Sequence, residues 1–313
     1  MKKTPLTLLA AAAALALALT GCSGGSGGSG DSDASAGSSG GRNLPTGEEI
    51  STTADPELTK LLPEDITKKG KIDVAVEIPY PPMSMFGEGN REIGFDPELA
   101  RLLGQKLDID VSLNKGLFDT AVASLQAGKS DMIMMGMNDT PERQKTLSFL
   151  DYTHGGFAIV VQKGNPAKIT TQDDLCGKTV AVQKATVQGD LLRAMDCGVN
   201  VMELPADVDA VTALRAGKSQ AYVSDAIPAQ YIAATTDDGK AFDIVQDAEN
   251  PRGFNPVFSG IGILKDRTEF IEAMQAAMQA LIDEGTYQKL TERYDIQDYG
   301  VESAEVNQGK DAA

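Results

Sequence analysis

Arg143 is the residue of this chain best placed to do chemistry on a small ligand. It closes the stretch Gly136-Met137-Asn138-Asp139-Thr140-Pro141-Glu142-Arg143, which follows the apolar run Met132-Ile133-Met134-Met135. The run reads as a strand that turns straight into a helix: Thr140 suits the N-cap, Pro141 the first helical position and Glu142 the first turn. A guanidinium on that turn, beside free backbone N–H groups, can grip a carboxylate with two parallel hydrogen bonds. The alternative is a surface arginine at a strand-to-helix turn. Other chemistries find less support. The chain has one histidine, His154, and three cysteines; no nucleophile-and-base pair, metal-ligand cluster or phosphate loop stands out. A binder is therefore expected rather than an enzyme, with no catalytic residue, metal or cofactor.

Strands and helices alternate around this stretch. Ile72, Val74 and Val76 alternate with Lys71, Asp73 and Ala75 as in a first strand. Leu99, Leu102, Leu103 and Leu107 recur at helical spacing, as do Phe118, Val122 and Leu125, and strands are expected at 109–113 and 131–135. The order repeats with a strand at 179–182, a helix at 187–195, a strand at 221–223 and a helix at 226–234. Such alternation indicates an α/β fold with a mainly parallel sheet, here in two lobes. Apolar extended segments at 157–161 and 257–263 lie between them. A C-terminal helix with Phe270, Ile271, Met274, Met278, Leu281 and Ile282 on one face should return to the first lobe, its stripe being core.

In such an architecture a ligand lies in the cleft, outside the carboxyl ends of the strands. Glu77, Tyr80, Phe118, Arg143, residues 183–187 and Asp225 all fall just after an expected strand. Two rings can sandwich the aliphatic part of a ligand or lie over a cationic head. Ordinary packing is the alternative for Tyr80 and Phe118, a solvated loop carboxylate for Glu77, and helix capping for Asp225.

The ends of the chain are different in kind. Lys2 and Lys3 precede an apolar run over 6–19, too short to span a bilayer and suited to a secretory signal. Leu19-Thr20-Gly21-Cys22 resembles a lipobox, in which Cys22 is lipidated and becomes the mature N-terminus, so residues 1–21 are read as signal peptide. Residues 23–41 are almost wholly Gly, Ser, Asp and Ala, and the segment 22–55 is read as a flexible tether. Loss of residues 1–21 takes the formal net charge from −17 to −19. Such an acidic balance argues against nucleic acid as a partner. Cys176 and Cys197, in an exported chain, point to a disulfide worth roughly 3 kcal/mol in the chain-entropy model; two buried thiols are the alternative.

Together with the Arg143 stretch, Gly94-Phe95-Asp96-Pro97-Glu98-Leu99-Ala100-Arg101-Leu102-Leu103-Gly104 resembles the signature regions of the bacterial extracellular solute-binding proteins of family 3, the amino-acid receptors of ABC importers. Gly128-Lys129-Ser130-Asp131 and Gly285-Thr286-Tyr287 fit its order. Pro97 stands where the family usually has an aliphatic residue. The resemblance implies a type II periplasmic-binding-protein fold, with two hinge crossings and the ligand in the interlobe cleft. Lobe 1 would be 56–157 and 258–300, lobe 2 158–257, and 301–313 a loose tail.

It further implies that Tyr80 and Phe118 are aromatic walls and that Glu77 reaches a polar ligand side chain. Asn138 and the carbonyl of Gly136 would meet the α-amino or α-carboxylate group. Thr186 and the N–H groups of Thr186 and Val187 would face the ligand carboxylate opposite Arg143, and Asp225 would hold the α-ammonium. Ala185 stands where Gly is frequent, so the turn must accept a Cβ, and Asp139 would face solvent. The function implied is an extracytoplasmic lipoprotein, anchored to the cell membrane through Cys22, that presents a polar L-amino acid to an ABC permease. A cationic or amide side chain is favoured, and a monomer is the default. The alternatives are a dehydratase-like enzyme of the same fold and a ligand-binding sensor for a membrane partner.

Overall fold

The computed structural model describes residues 49–247 and 249–310. The expected signal peptide, the expected lipidation site Cys22 and residues 22–48 of the expected tether lie outside the described residues. Two short helices, α1 (Pro56–Thr59) and α2 (Glu64–Lys69), precede β1 (Lys71–Val76). A small hairpin, β2 (Met85–Phe86) and β3 (Glu92–Ile93), leads into α3 (Phe95–Lys106), β4 (Asp110–Lys115), α4 (Ala121–Gln126) and β5 (Met132–Ile133). The 16-residue β6 (Leu147–Gln162) opens a second set. It comprises β7 (Thr179–Gln183), α5 (Val187–Ala194), β8 (Asn200–Leu204), α6 (Asp207–Arg215), β9 (Ala221–Asp225), α7 (Ala226–Thr235) and β10 (Phe242–Val245). β11 (Phe254–Leu264) returns to the first set, which α8 (Thr268–Asp283) and α9 (Thr286–Arg293) complete.

The strands pair in the order β4-β1-β5-β11-β6-β9-β7-β8, with β10 also on β6. Within each set the strands run parallel, β1 between β4 and β5 and β7 between β8 and β9. The sheet is nonetheless mixed rather than mainly parallel, because β6, β10 and β11 are antiparallel to their neighbours. A chain that leaves one lobe and later returns must run in opposite directions on its two crossings. β6 serves both lobes: residues 147–155 pair with β11 and residues 157–160 with β9. Gly156 permits the change of partner, since a Cβ there would lie 2.3 Å from the carbonyl oxygen of Phe254.

Helical spacing decides what covers the first set. Leu99, Leu102, Leu103 and Leu107 are essentially inaccessible on α3, which packs on α8 and α9. Phe95 makes a tilted ring contact with Tyr152 at 5.7 Å and an edge contact with Tyr287 at 6.2 Å. The expected face of α8, from Phe270 to Ile282, is buried there as well. In the second set the Cys176–Cys197 disulfide is formed, tying the loop before β7 to the end of α5.

Further expectations change. Residues 140–146 form a single 3-10 turn over Arg143–Lys145 instead of an α-helix. Thr140 Oγ1 does accept from the Arg143 N–H at 3.3 Å, but the chain enters β6 four residues later and leaves no length for helical propagation. Residues 49–55, assigned to the tether, belong to the folded body. Thr52 N–H donates to Gln105 Oε1, Thr52 Oγ1 donates to Glu284, and Asp55 N–H donates to the Lys106 carbonyl while its carboxylate caps α1.

The loose tail is a strap. At residues 149–151 β6 has β11 on one side only, and the C-terminal segment fills the open edge with a bridge between Leu150 and Val306. Gln308 N–H donates to Asp151 Oδ2 at 2.9 Å and Gly309 N–H to Asp139 Oδ2 at 2.6 Å. Asp139, expected in solvent, is thereby inaccessible.

The strap makes a pH prediction. Burial pushes the Asp151 carboxyl up to about 8, against the Gln308 N–H that lowers it and with Asp139 adding to the rise. Burial pushes Asp96 up to about 7. The folded protein then holds protons that the unfolded chain has released, so stability falls as pH rises from about 4 through about 8. Thermal unfolding should give a higher Tm at pH 5 than at pH 8.5, and Asp151→Asn should narrow that gap. A Tm that rises with pH over this range would contradict the assignment.

Candidate functional site

Every candidate side chain stands at the carboxyl end of a parallel strand. Glu77 and Tyr80 follow β1, Phe118 follows β4, and Gly136, Asn138 and Arg143 follow β5; residues 183–187 join β7 to α5, and Asp225 ends β9. Parallel strands with helical crossovers deliver their loops to one edge, and the two lobes bring those edges face to face. The cleft between them closes on a small cavity lined by Tyr80, Phe118, Asn138, Thr186, Gln188 and Asp225, among others.

Asp225 is the centre of the arrangement. Tyr80 Oη donates to Asp225 Oδ2 at 2.8 Å, and Asn138 Nδ2 and Gln188 Nε2 donate to Oδ1 at 3.0 Å each. Asn138 Nδ2 also reaches Ser259 Oγ at 3.1 Å. Asp225 precedes α7 but makes no side-chain cap to it, so the capping alternative is not what its carboxylate does. Burial raises its pKa, while Asn138, Tyr80 and Arg143 favour the charged form.

Arg143 donates from Nη1 to the Asn138 carbonyl at 2.8 Å and from Nη2 across the cleft to the Ala185 carbonyl at 3.0 Å. Its guanidinium lies over the Phe118 ring, 5.4 Å from the centroid. Burial lowers its pKa to about 10, opposed by Asp225. Gly136 has φ 60° and sits under Tyr80, where a Cβ would come 2.8 Å from Cε1 of the ring. Its N–H donates to Tyr152 Oη at 3.1 Å.

The second lobe supplies the start of α5. Thr186 is its N-cap: Oγ1 accepts from Gly189 N–H at 3.4 Å and donates to the Gln183 carbonyl at 2.7 Å. Its hydroxyl is thus engaged in capping, whereas the first N–H groups of the helix lack intrahelical acceptors and face the cleft end. Val187 turns its side chain to the apolar core of the lobe, leaving only backbone for a ligand. Glu77 is buried, with Gln183 Nε2 donating to both its oxygens at 2.7 and 2.8 Å. Burial pushes it up to about 7, with Asp207, Asp119 and Asp209 adding to the rise and Gln183 opposing it. Lys184 Nζ completes the crossings by pairing with Asp119 at 3.0 Å.

Three cleft residues escape the sequence reading: Gln188, Ser259 and Asp207. Gln188 lies one residue beyond the expected turn 183–187 and carries no charge to mark it. Ser259 lies on a crossing strand, and an acid opening a helix, as Asp207 does, looks like any complement to the helix dipole. His154 stands elsewhere, stacked on Phe258 at 4.1 Å beside Arg252. Among the described residues no group of His, Cys, Asp and Glu is arranged to hold a metal ion.

A family model for bacterial extracellular solute-binding proteins, family 3, matches residues 72–297. An L-cystine-binding protein of Escherichia coli is 29% identical over 252 residues, 80% of this chain and 91% of that protein. The ABC transporter arginine-binding protein 1 of Escherichia coli is 28% identical over 225 residues, 72% and 90% respectively. The solved structure of an ancestral arginine-binding protein bound to arginine superposes with a TM-score of 0.66 at 31% identity, covering 72% of this chain and 98% of that one. The fold is thus the type II periplasmic-binding-protein fold.

One strained residue in the cleft makes a test. Ala185 has φ 64°, a left-handed conformation that costs an L-residue about 1 kcal/mol. Ala185→Gly should raise stability by about 1 kcal/mol, or roughly 3 °C in Tm, read by calorimetry. A lower Tm would mean that the Cβ makes contacts worth more than the strain.

Proposed function

As the chain belongs to the bacterial extracellular solute-binding proteins of family 3, we propose that it captures a polar L-amino acid outside the cytoplasm and presents it to the permease of an ABC importer. Arg143 and the N–H groups at the start of α5 hold the α-carboxylate from opposite lobes, and Asp225 holds the α-ammonium. Tyr80 and Phe118 flank the side chain, Asn138 and the Gly136 carbonyl complete the α-amino end, and Glu77 favours a cationic or amide head. The single observation that carries this reading is Asp225, which ends a strand of one lobe and is met by Tyr80 and Asn138 from the other.

The ligand then bridges the lobes, and closure follows from its stronger contacts with the closed form. The lobes are 56–157 with 258–300, joined by residues 49–55 and the strap 301–310, and 158–257, hinged where β6 and β11 cross. Attachment to the membrane is through lipid on Cys22, and the receptor acts as a monomer. No helix among the described residues is long and apolar enough to cross a membrane. The cystine- and arginine-binding relatives support an amino-acid ligand rather than an enzymatic substrate.

A thermal-shift screen against the common L-amino acids tests this directly. A ligand at roughly 100 times its dissociation constant adds about 2.7 kcal/mol of stability. One or a few L-amino acids should raise Tm, and Arg143→Ala or Asp225→Ala should each weaken binding by about 100-fold. A shift only with compounds that lack an α-carboxylate or α-ammonium would overturn the clamp.

A further inference from the structure

The charge in the cleft is unbalanced once the α-groups of a ligand are paired. Arg143 answers the carboxylate and Asp225 the ammonium, which leaves Glu77 and Asp207. Asp207 is the first residue of α6, almost completely buried, and lines the cleft cavity. Its partners are hydroxyls: Tyr222 Oη donates to both carboxylate oxygens at 2.6 Å and Ser224 Oγ to Oδ1 at 2.9 Å. The charges it acts on, Glu77 after β1 and Asp225 at the end of β9, carry the same sign, and it also bears on the Tyr80 hydroxyl. A buried carboxylate held by neutral donors at the cavity wall, with Asp225 on the same lining and Glu77 close enough to feel its charge, adds negative potential inside the cleft.

We infer that Asp207 is a specificity-determining residue that makes the cleft select amino acids carrying a second positive charge over neutral side chains of the same shape. The inference rests on the amino-acid reading of the cleft and deepens it. Glu77 acts beside Asp207, since the Gln183 amide that engages both Glu77 oxygens is likewise a neutral donor and leaves its charge uncancelled. Asp207 lines the cavity, its hydroxyl partners satisfy its hydrogen bonds without cancelling its charge, and the N-terminus of α6 helps keep it ionised. A guanidinium or ammonium entering the cavity compensates both acids. A neutral head leaves them facing each other in a dry site, where one takes up a proton.

L-Arginine and L-citrulline separate these cases, since they share a shape and differ by one charge. Calorimetric titration of the wild-type protein should favour arginine by at least about tenfold. Asp207→Asn should remove most of that preference by weakening arginine while leaving citrulline within about threefold. Tyr222→Phe, which takes away a donor but keeps the carboxylate, should retain it. A second measurement needs no variant of Asp207. Burial pushes its carboxyl up to about 6, with the Tyr222 and Ser224 hydroxyls opposing and Asp225 adding to the rise. In a Glu77→Gln background the remaining arginine preference should therefore fade as pH falls from 7.5 through about 6 to 5. An unchanged arginine-to-citrulline ratio in Asp207→Asn, or a ratio flat with pH in the Glu77→Gln protein, would overturn the inference. Failure of the wild-type protein to bind either compound or any other amino acid would instead remove the reading of the cleft on which it stands.

Discussion

The carboxylate of Asp225 is the constraint around which the two lobes are arranged. Three donors converge on it, two from the opposite lobe and one from α5 of its own. A charged group in that position is tolerable only while those donors are in place, because a buried carboxylate without partners is costly. The same geometry places every other cleft residue. β9 carries Asp225 to the cleft because it pairs with β6 in a register that sets Phe157 opposite it. β6 in turn is the strand both lobes share, so the position of Asp225 and the position of the hinge are one structural fact.

The first lobe is braced on the far side of that hinge. The strap of residues 301–310 runs along the open edge of β6 and ends on Asp139, the neighbour of Asn138. Gln144 Nε2 bonds both Asp139 Oδ1 and the Gly309 carbonyl, so the turn bearing Arg143 is tied to the same strap. Cleft and C-terminus are thereby linked through two consecutive residues, one facing the ligand side and the other buried beneath. The acids that matter to the cleft are few and buried.

Much of this was legible in the order of residues. The strand alternation of residues 71–76, the leucine spacing of α3 and the stripe of α8 are local patterns whose periods survive in the fold. Glu77, Tyr80, Arg143 and Asp225 could be singled out because each falls just past an expected strand, where loops of an α/β fold meet a ligand, and Asn138 through the family resemblance. What escaped was decided by tertiary pairing. The strap looks like a polar tail until one sees that β6 has an open edge at Leu150. Asp139 reads as a solvated acid until a backbone N–H from 170 residues away reaches it. The 3-10 turn at Arg143 has correct capping chemistry but too short a path to β6. Gln188 and Asp207 acquire meaning only from what stands across the cavity.

The most direct test of the two-ended clamp is calorimetric titration of L-arginine beside two truncated forms of it, one lacking the α-carboxylate and one lacking the α-amino group. If Arg143 and the α5 N-terminus grip one end and Asp225 the other, both truncated compounds should bind at least about 100-fold more weakly than arginine. If either keeps its affinity within about tenfold, the group it lacks is not held by the clamp, and Asp225 and Arg143 do not have the central role in ligand capture.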